Sequence, residues 1–535
     1  MFHSKRISRL ILSRPRKNLH LLIAAIFFAG LLPAQVAPTN GPRSIDPRWH
    51  ALVGATLIPR PKTRIENATI VMRNGRIVTV EAGGTPPAGA RVWDCKGLTV
   101  HAGLIDAHVP VETPHPESGS AGAHWNEKVL AQRSALSSNG IDVEVREELR
   151  GLGFTAAAIA PADGIFRGTG AVVLLDEPTS KEGIAHVSVV RERVYHSVAF
   201  DRGGGNYPRS TMGVIALIRQ TLLDAEWHAE CARVYGRTAS DHEPPQANVA
   251  LDTLGTSAEK KAPLLIHVGN ANEALVAKRL GKEFGRDVII LGDGDGYRRL
   301  EALGKTSLVL PLRFPEPPAL GSISDIERAS LRELMAWEQA PTNPRRITRA
   351  GIRGMLTTDG LEKRDGFLDN LRRAIEHGLT EDEALEMLTT VPASALGVAD
   401  KLGTVEPGML ANLVITDGKL FDRKAIRSVW VRGQRYIVNP VLEQSMDGTW
   451  AIAGALLSGS AGKLIISEGK TVTFDPSDED TKESKAGKVR ITKNGIDCVL
   501  SLSANKEGKD AQQAWVIRAI AEGEKMFGRT FRPDG

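Results

Sequence analysis

Cysteine is scarce in this sequence, and the three present, Cys95, Cys231 and Cys498, stand far apart without metal-ligand spacing. That excludes a disulfide scaffold and a zinc ribbon. No internal repeat of roughly 20–50 residues is visible, which excludes solenoids and propellers. Long apolar runs are missing after residue 32. The net charge of +5 is local: Lys5, Arg6, Arg9, Arg14, Arg16 and Lys17 precede any acid, and +5 less these six leaves −1. The body of the chain therefore has no electrostatic case for nucleic acid.

The N-terminus has a basic region, an apolar run over 21–32, then Pro33, Ala34 and Ala37. A membrane span needs about 20 apolar residues, so this shorter run fits an export signal better than an anchor. Residues 1–37 are expected to be a signal peptide, the mature protein being periplasmic or extracellular with no stable membrane span. The uncleaved anchor is the alternative.

A chain of 535 residues, 42% hydrophobic and 24% charged, has room for two to four domains with sizeable cores. Over 64–80, "RIENATIVMRNGRIVTV" places Asn-Gly between two β-rich runs, the strongest short hairpin signal. The same texture returns in "KLGTVEPGMLANLVITDG" and "SVWVRGQRY", so β elements at 44–100 and 401–440 flank a long middle. Between 101 and 400, apolar runs such as "GFTAAAIAP", "GAVVLL", "APLLIHVGN", "RDVIILGDG", "TSLVLPL" and "AGIRGMLTTDG" alternate with helical patterns. Thr380 and Glu383 have capping-box spacing before one of these helices. Such alternation favours a (β/α) barrel, with a doubly wound sheet as alternative. Residues 441–535 are short strands at Gly-rich turns, the pattern of a small β-meander domain.

Three stretches, "IVMRNGRIVTVEAGG", "DCKGLTVHAGLIDAH" and "LTEDEALEMLTTVPASALGVADKLGTVEPGMLANLVITDG", resemble the amidohydrolase superfamily, relatives of imidazolonepropionase and dihydroorotase. His101 stands where that family usually has proline. "PADGIFRGTGAVVLL" and "YPRSTMGVIALIRQ" resemble an exported subgroup. The resemblance implies a (β/α)8 TIM-like barrel over 101–400. It also implies that 44–100 and 401–440 join into one composite β-sandwich domain, with 441–535 as an extra β-domain.

It implies, too, one or two divalent metals at the C-terminal mouth of the barrel, activating water and polarising a carbonyl. In "GLIDAHVPVE", Asp106, His108, Pro110 and Glu112 alternate, and extended chain would put all four on one face. His108 matches the first histidine of the family's His-x-His pair, whereas Pro110 replaces the second. His267 matches the histidine of strand 5, and Asp359 the aspartate of strand 8, which is ligand and general base. Gly292 ends the expected strand 6 without a histidine, and nothing in or beside "GAVVLL" offers the bridging lysine or glutamate. The resemblance thus leaves His108, His267 and Asp359 for one divalent ion at most, zinc by donor type, with a metal-free mouth as the other outcome. Glu112, His115 and His124 are the neighbours that could complete a shifted site, and "GDGDG" at 292–296 reads as a turn.

Two functions follow from the resemblance: a hydrolase of non-peptide C–N bonds acting on a small amide or cyclic amide, or an inactive binding or assembly subunit of the same fold. A third, carbohydrate or surface binding through the C-terminal strands, rests on Trp450. Oligomerisation is open. Because residues 1–37 have the pattern of a targeting signal, a chain lacking them is expected to fold and stay soluble, which circular dichroism and gel filtration check. Aggregation of the shortened chain beside a well-folded full chain would make the segment structural.

Overall fold

The structure, a computed structural model, describes residues 49–531 apart from short stretches, the longer ones being 203–206, 256–261, 323–327, 440–447, 453–461, 477–483 and 505–510. The N-terminal apolar run and its expected cleavage lie outside the described residues. Among those residues no helix is long and apolar enough to cross a membrane.

The chain begins with β1 (Trp49–Ile58), β2 (Ile65–Arg73), β3 (Arg76–Ala82), β4 (Arg91–Asp94) and β5 (Thr99–Ala102). Next come β6 (Leu104–Val111), β7 (Phe154–Pro161) and β8 (Phe166–Leu174), then the small hairpin β9 (Thr179–Lys181) and β10 (Ile184–His186). The series continues with β11 (Val189–Ala199), β12 (Leu264–His267), β13 (Val288–Leu291), β14 (Ser307–Pro311) and β15 (Gly354–Thr357). After the closing helices come β16 (Leu413–Thr416), β17 (Ile426–Val431) and β18 (Gln434–Ile437). The last seven are β19 (Gly448–Ile452), β20 (Gly462–Ser467), β21 (Thr471–Pro476), β22 (Ser484–Thr492), β23 (Gly495–Ala504), β24 (Ala511–Glu522) and β25 (Lys525–Phe531).

Both flanks of the chain meet in one eight-stranded sheet, ordered β18-β17-β16-β5-β1-β2-β3, with β4 branching from β1. The branch exists because β1 is long: His50–Val53 pairs with β4, and Thr56–Ile58 pairs with β5. The result is one branched sheet around its own core of Leu52, Ile70, Met72, Val100, Leu413 and Trp430. The Asn74-Gly75 turn has φ of 50° and 76°, and Arg432-Gly433 at the tip of β17–β18 repeats it with 49° and 78°. These two tight turns lie against each other. A Cβ on Gly75 would come within 2.8 Å of the Arg432 carbonyl oxygen, so glycine is required there on both counts.

The middle of the chain forms a second eight-stranded sheet, β15-β14-β13-β12-β11-β8-β7-β6, rolled so that β15 lies beside β6. Seven strands run parallel, and β7, β12, β13, β14 and β15 are mostly apolar along their length, as buried parallel strands are. The exception is β8, which runs antiparallel to both β7 and β11. "GAVVLL" is therefore the third strand, reversed, and the fourth is β11, a run that sequence periodicity did not pick out. Helices such as Val143–Gly151, Thr211–Tyr235 and Ala271–Glu283 follow the strands. The Thr380–Glu383 capping box forms, with the Glu383 amide donating to Thr380 Oγ1 at 3.1 Å and the Thr380 amide to Glu383 Oε2 at 2.8 Å. The last seven strands make an antiparallel meander in chain order.

His101 is a liability inside this fold. It lies on β5 between β1 and β16, 5% exposed, with neither ring nitrogen hydrogen-bonded among the described residues. Burial pulls its pKa down to about 4. The native state then holds it neutral, while the unfolded chain takes up a proton below about pH 6.5. Stability from this residue is complete above that pH and is lost progressively towards pH 4, on the order of 3 kcal/mol in all. His101→Leu should flatten the fall in melting temperature between those pH values. A variant that falls as steeply as the wild type would contradict the assignment.

Candidate active site at the barrel mouth

The C-terminal ends of the parallel strands form one rim, and the sequence-derived residues lie there. His267 is the last residue of β12, Asp359 follows β15 by two residues, and His108 lies near the end of β6. The structure brings these three together. His108 Nδ1 lies 2.9 Å from Asp359 Oδ2, and the His108 and His267 rings meet edge to face at 4.8 Å between centroids. Burial pushes Asp359 upwards, but the hydrogen bond from His108, the Gly360 amide and Arg167 outweigh it and hold the carboxyl below its usual range. An ionised carboxylate only accepts, so His108 donates through Nδ1. That leaves His108 Nε2, which is buried and has no partner among the described residues, as the free atom of the pair.

The first and eighth strands are latched by a residue to which sequence reasoning gave no role. Asp106 is fully buried. It accepts from the Thr358 amide at 3.1 Å, the Thr358 hydroxyl at 2.6 Å and the His108 amide at 3.1 Å. The Thr357 hydroxyl donates to the His108 carbonyl at 2.6 Å and accepts from the Asp359 amide at 3.1 Å. Burial pushes the Asp106 carboxyl above its usual range, and the hydroxyls and amides facing it pull the other way.

The antiparallel course of β8 puts its beginning, not its end, at this mouth. Arg167, its second residue, bonds the Gly164 carbonyl through Nε at 3.3 Å and reaches His267 Nδ1 with Nη1, also at 3.3 Å. The other nitrogen of His267, Nε2, lies 3.1 Å from Ser197 Oγ on β11. Burial first, then the charge of Arg167, pushes the His267 pKa well below its ordinary value, so this ring is neutral. Tyr195, also on β11, is fully buried, and burial raises its phenol.

The remaining expectations fare differently. The alternation along "GLIDAHVPVE" is broken, because the β6–β7 register shifts between Asp106 and Val109. Such a bulge re-aims the side chains beyond it, and Glu112 falls outside the strand, exposed. His115 pairs with Asp163 at 3.0 Å, next to Arg133. His124 is buried and accepts from the Asn126 amide at 3.0 Å. The three expected metal donors, as arranged, do not fit an ion. Both nitrogens of His267 are engaged, a guanidinium lies beside it, and Pro110 offers nothing. Among the described residues no group of three or more His, Cys, Asp or Glu is placed to hold a metal.

Two clefts open on the rim. One of about 700 Å³ is lined by His115, His124, Trp125, Asp163 and Asp201. The other, about 920 Å³, is lined by Asp295, Tyr297, Arg313, Phe314 and Lys363. A third, about 510 Å³, lies at the opposite end of the strands around Lys278, Arg286 and Arg353, away from every group described above.

A parallel-rich barrel carrying acid–base residues at its C-terminal mouth, beside a small β-domain built from both flanks, has its titratable groups at the face where barrels of this kind place their working residues. The amidohydrolase family pattern matches residues 197–438. The imidazolonepropionase of Thermoplasma volcanium is 22% identical over 384 residues, covering 66% of this chain and 84% of that one. The adenine deaminase of Archaeoglobus fulgidus is 33% identical over 136 residues, and the chain spans only 24% of that relative's length. An amidohydrolase from Thermotoga maritima shares the fold, with a TM-score of 0.57 at 22% identity over 72% of this chain and 98% of that one. Over residues 197–438 the chain is thus similar to the amidohydrolase family, and its barrel shares the fold of a solved amidohydrolase.

The latch generates a prediction. Asp106→Ala strips the acceptor from three buried donors and should cost roughly 3 kcal/mol or more in urea unfolding. A loss below about 1 kcal/mol, ordinary for a surface change, would mean the strands close without it.

Proposed function

We propose that the protein hydrolyses a non-peptide C–N bond in a small amide or cyclic amide outside the cytoplasm. The observation that carries this reading is the buried His108–Asp359 pair at the barrel mouth, in which His108 Nε2 has no partner among the described residues. The relatives named above, a deaminase and an imidazolonepropionase, support the bond type.

The residues present allow a full set of proton transfers. His108 Nε2 takes a proton from water as it attacks the carbonyl or amidine carbon. Asp359, held ionised, steadies the imidazolium through Nδ1–H, as a buried carboxylate does for any histidine base. Negative charge gathers on the substrate oxygen, or on the ring nitrogen of an amidine. Arg167, one imidazole ring away from the base, supplies the nearest positive charge. His108 then returns its proton to the leaving nitrogen as the C–N bond breaks. Asp359 as the proton acceptor, the expectation from resemblance, is the poorer assignment here, because its carboxyl is held low and Oδ2 is already occupied.

A panel of small amides, cyclic amides and amidines tests the reading. With the substrate found, His108→Ala and Asp359→Ala should each lower kcat by about 100-fold or more, the scale of lost general-base catalysis, with the fold intact by circular dichroism. Ligands that bind but are never turned over would replace hydrolysis with the binding reading. Turnover that survives His108→Ala would move the base elsewhere.

A further inference from the structure

The superfamily resemblance calls for a cation at this mouth, and the structure has one that is not a metal. A histidine binds an ion through an in-plane lone pair, and an arginine has no lone pair to share because every guanidinium N–H is a donor. The approach of Arg167 Nη1 to His267 Nδ1 at 3.3 Å is therefore an N–H pointing at the His267 lone pair. His267 Nδ1 is then unprotonated and Nε2 carries the hydrogen, which it donates to Ser197 Oγ at 3.1 Å. Neither nitrogen can bind an ion while Arg167 stays. The same tautomer keeps His267 from activating the Ser197 hydroxyl, since its nearer nitrogen is a donor.

The surrounding sequence agrees with this arrangement. Position 110 is proline where a second imidazole would be, and β13 ends at Leu291-Gly292 without a donor. The mouth end of β11 is Ser197, Val198 and Ala199, with no carboxylate or amine. Arg167 arrives only because β8 runs against its neighbours and begins at the rim.

We propose that the Arg167 guanidinium stands in for the divalent cation, so that this mouth works without a metal and Arg167 is its positive pole. The role suits a substrate that develops charge on one oxygen or nitrogen, because a guanidinium offers two parallel N–H donors to it. The inference rests on the reading of this mouth as the working site, but its test needs no substrate.

Zinc titration calorimetry on the full chain, with elemental analysis after dialysis, compares the wild type with Asp359→Ala, Arg167→Met and the Arg167→Met/Asp359→Ala double variant. The wild type should show no zinc uptake that depends on Asp359. Arg167→Met frees the His267 lone pair and should gain zinc affinity about tenfold or more, the scale on which partners of a ligating histidine act. That gain should vanish in the double variant. An equivalent of zinc in the wild type that disappears in Asp359→Ala overturns the proposal, and this comparison stands even if Arg167→Met fails to fold. A folded Arg167→Met with unchanged zinc affinity overturns it too. Failure to find a hydrolysed amide alters neither result.

Discussion

Everything at the mouth hangs on how the first and last strands of the barrel are joined. β6 and β15 lie side by side, and a fully buried carboxylate, Asp106, spans the seam with three accepted hydrogen bonds. A buried carboxylate is costly unless its acceptor sites are filled, so its geometry is specified tightly once they are. Two of its donors belong to Thr358 and one to the His108 amide, the residues beside and at the acid–base pair. The Thr357 hydroxyl adds a second tie between the same strands. The 2.9 Å contact of His108 with Asp359 is the product of that seam, since the two residues sit on strands that only this closure brings together.

The reversed third strand is the second constraint. In an all-parallel barrel, a residue at the start of a strand lies at the end remote from the site. β8 breaks the rule, and Arg167 reaches the mouth from the strand's beginning. One topological change therefore delivers a fixed positive charge next to His267, in a place where a mobile ion would otherwise be recruited. A guanidinium is permanent and independent of ion supply.

Much of the framework was legible in the sequence, for reasons that are local. Asn74-Gly75 needs positive φ at both residues, and the hairpin follows. Thr380 and Glu383 satisfy each other's backbone amides, and a helix starts there. Buried parallel strands read as apolar runs, so β7, β12, β13, β14 and β15 lie within the runs that were singled out, and the reversed β8 overlaps another. What failed depended on partners. An apolar run carries no direction, so "GAVVLL" could not be seen to run backwards. The bulge in β6 is a mismatch with β7, invisible within "GLIDAHVPVE" alone. Arg167 in "PADGIFRGTG" looks like any arginine after a Gly turn, and only the reversed strand makes it part of the site. Position 110 did show that the usual ligand set was incomplete, yet not what replaced it.

The central claim, a guanidinium holding one histidine tautomer where an ion is expected, has a direct spectroscopic signature. Long-range ¹H–¹⁵N spectra of the ¹⁵N-histidine-labelled protein at neutral pH report which ring nitrogen of His267 carries hydrogen. The account predicts a neutral ring, protonated at Nε2, with Nδ1 as an acceptor from Arg167 and no change on adding zinc. Hydrogen on Nδ1, or an Nδ1 resonance that shifts to a metal-bound position with zinc, would contradict it.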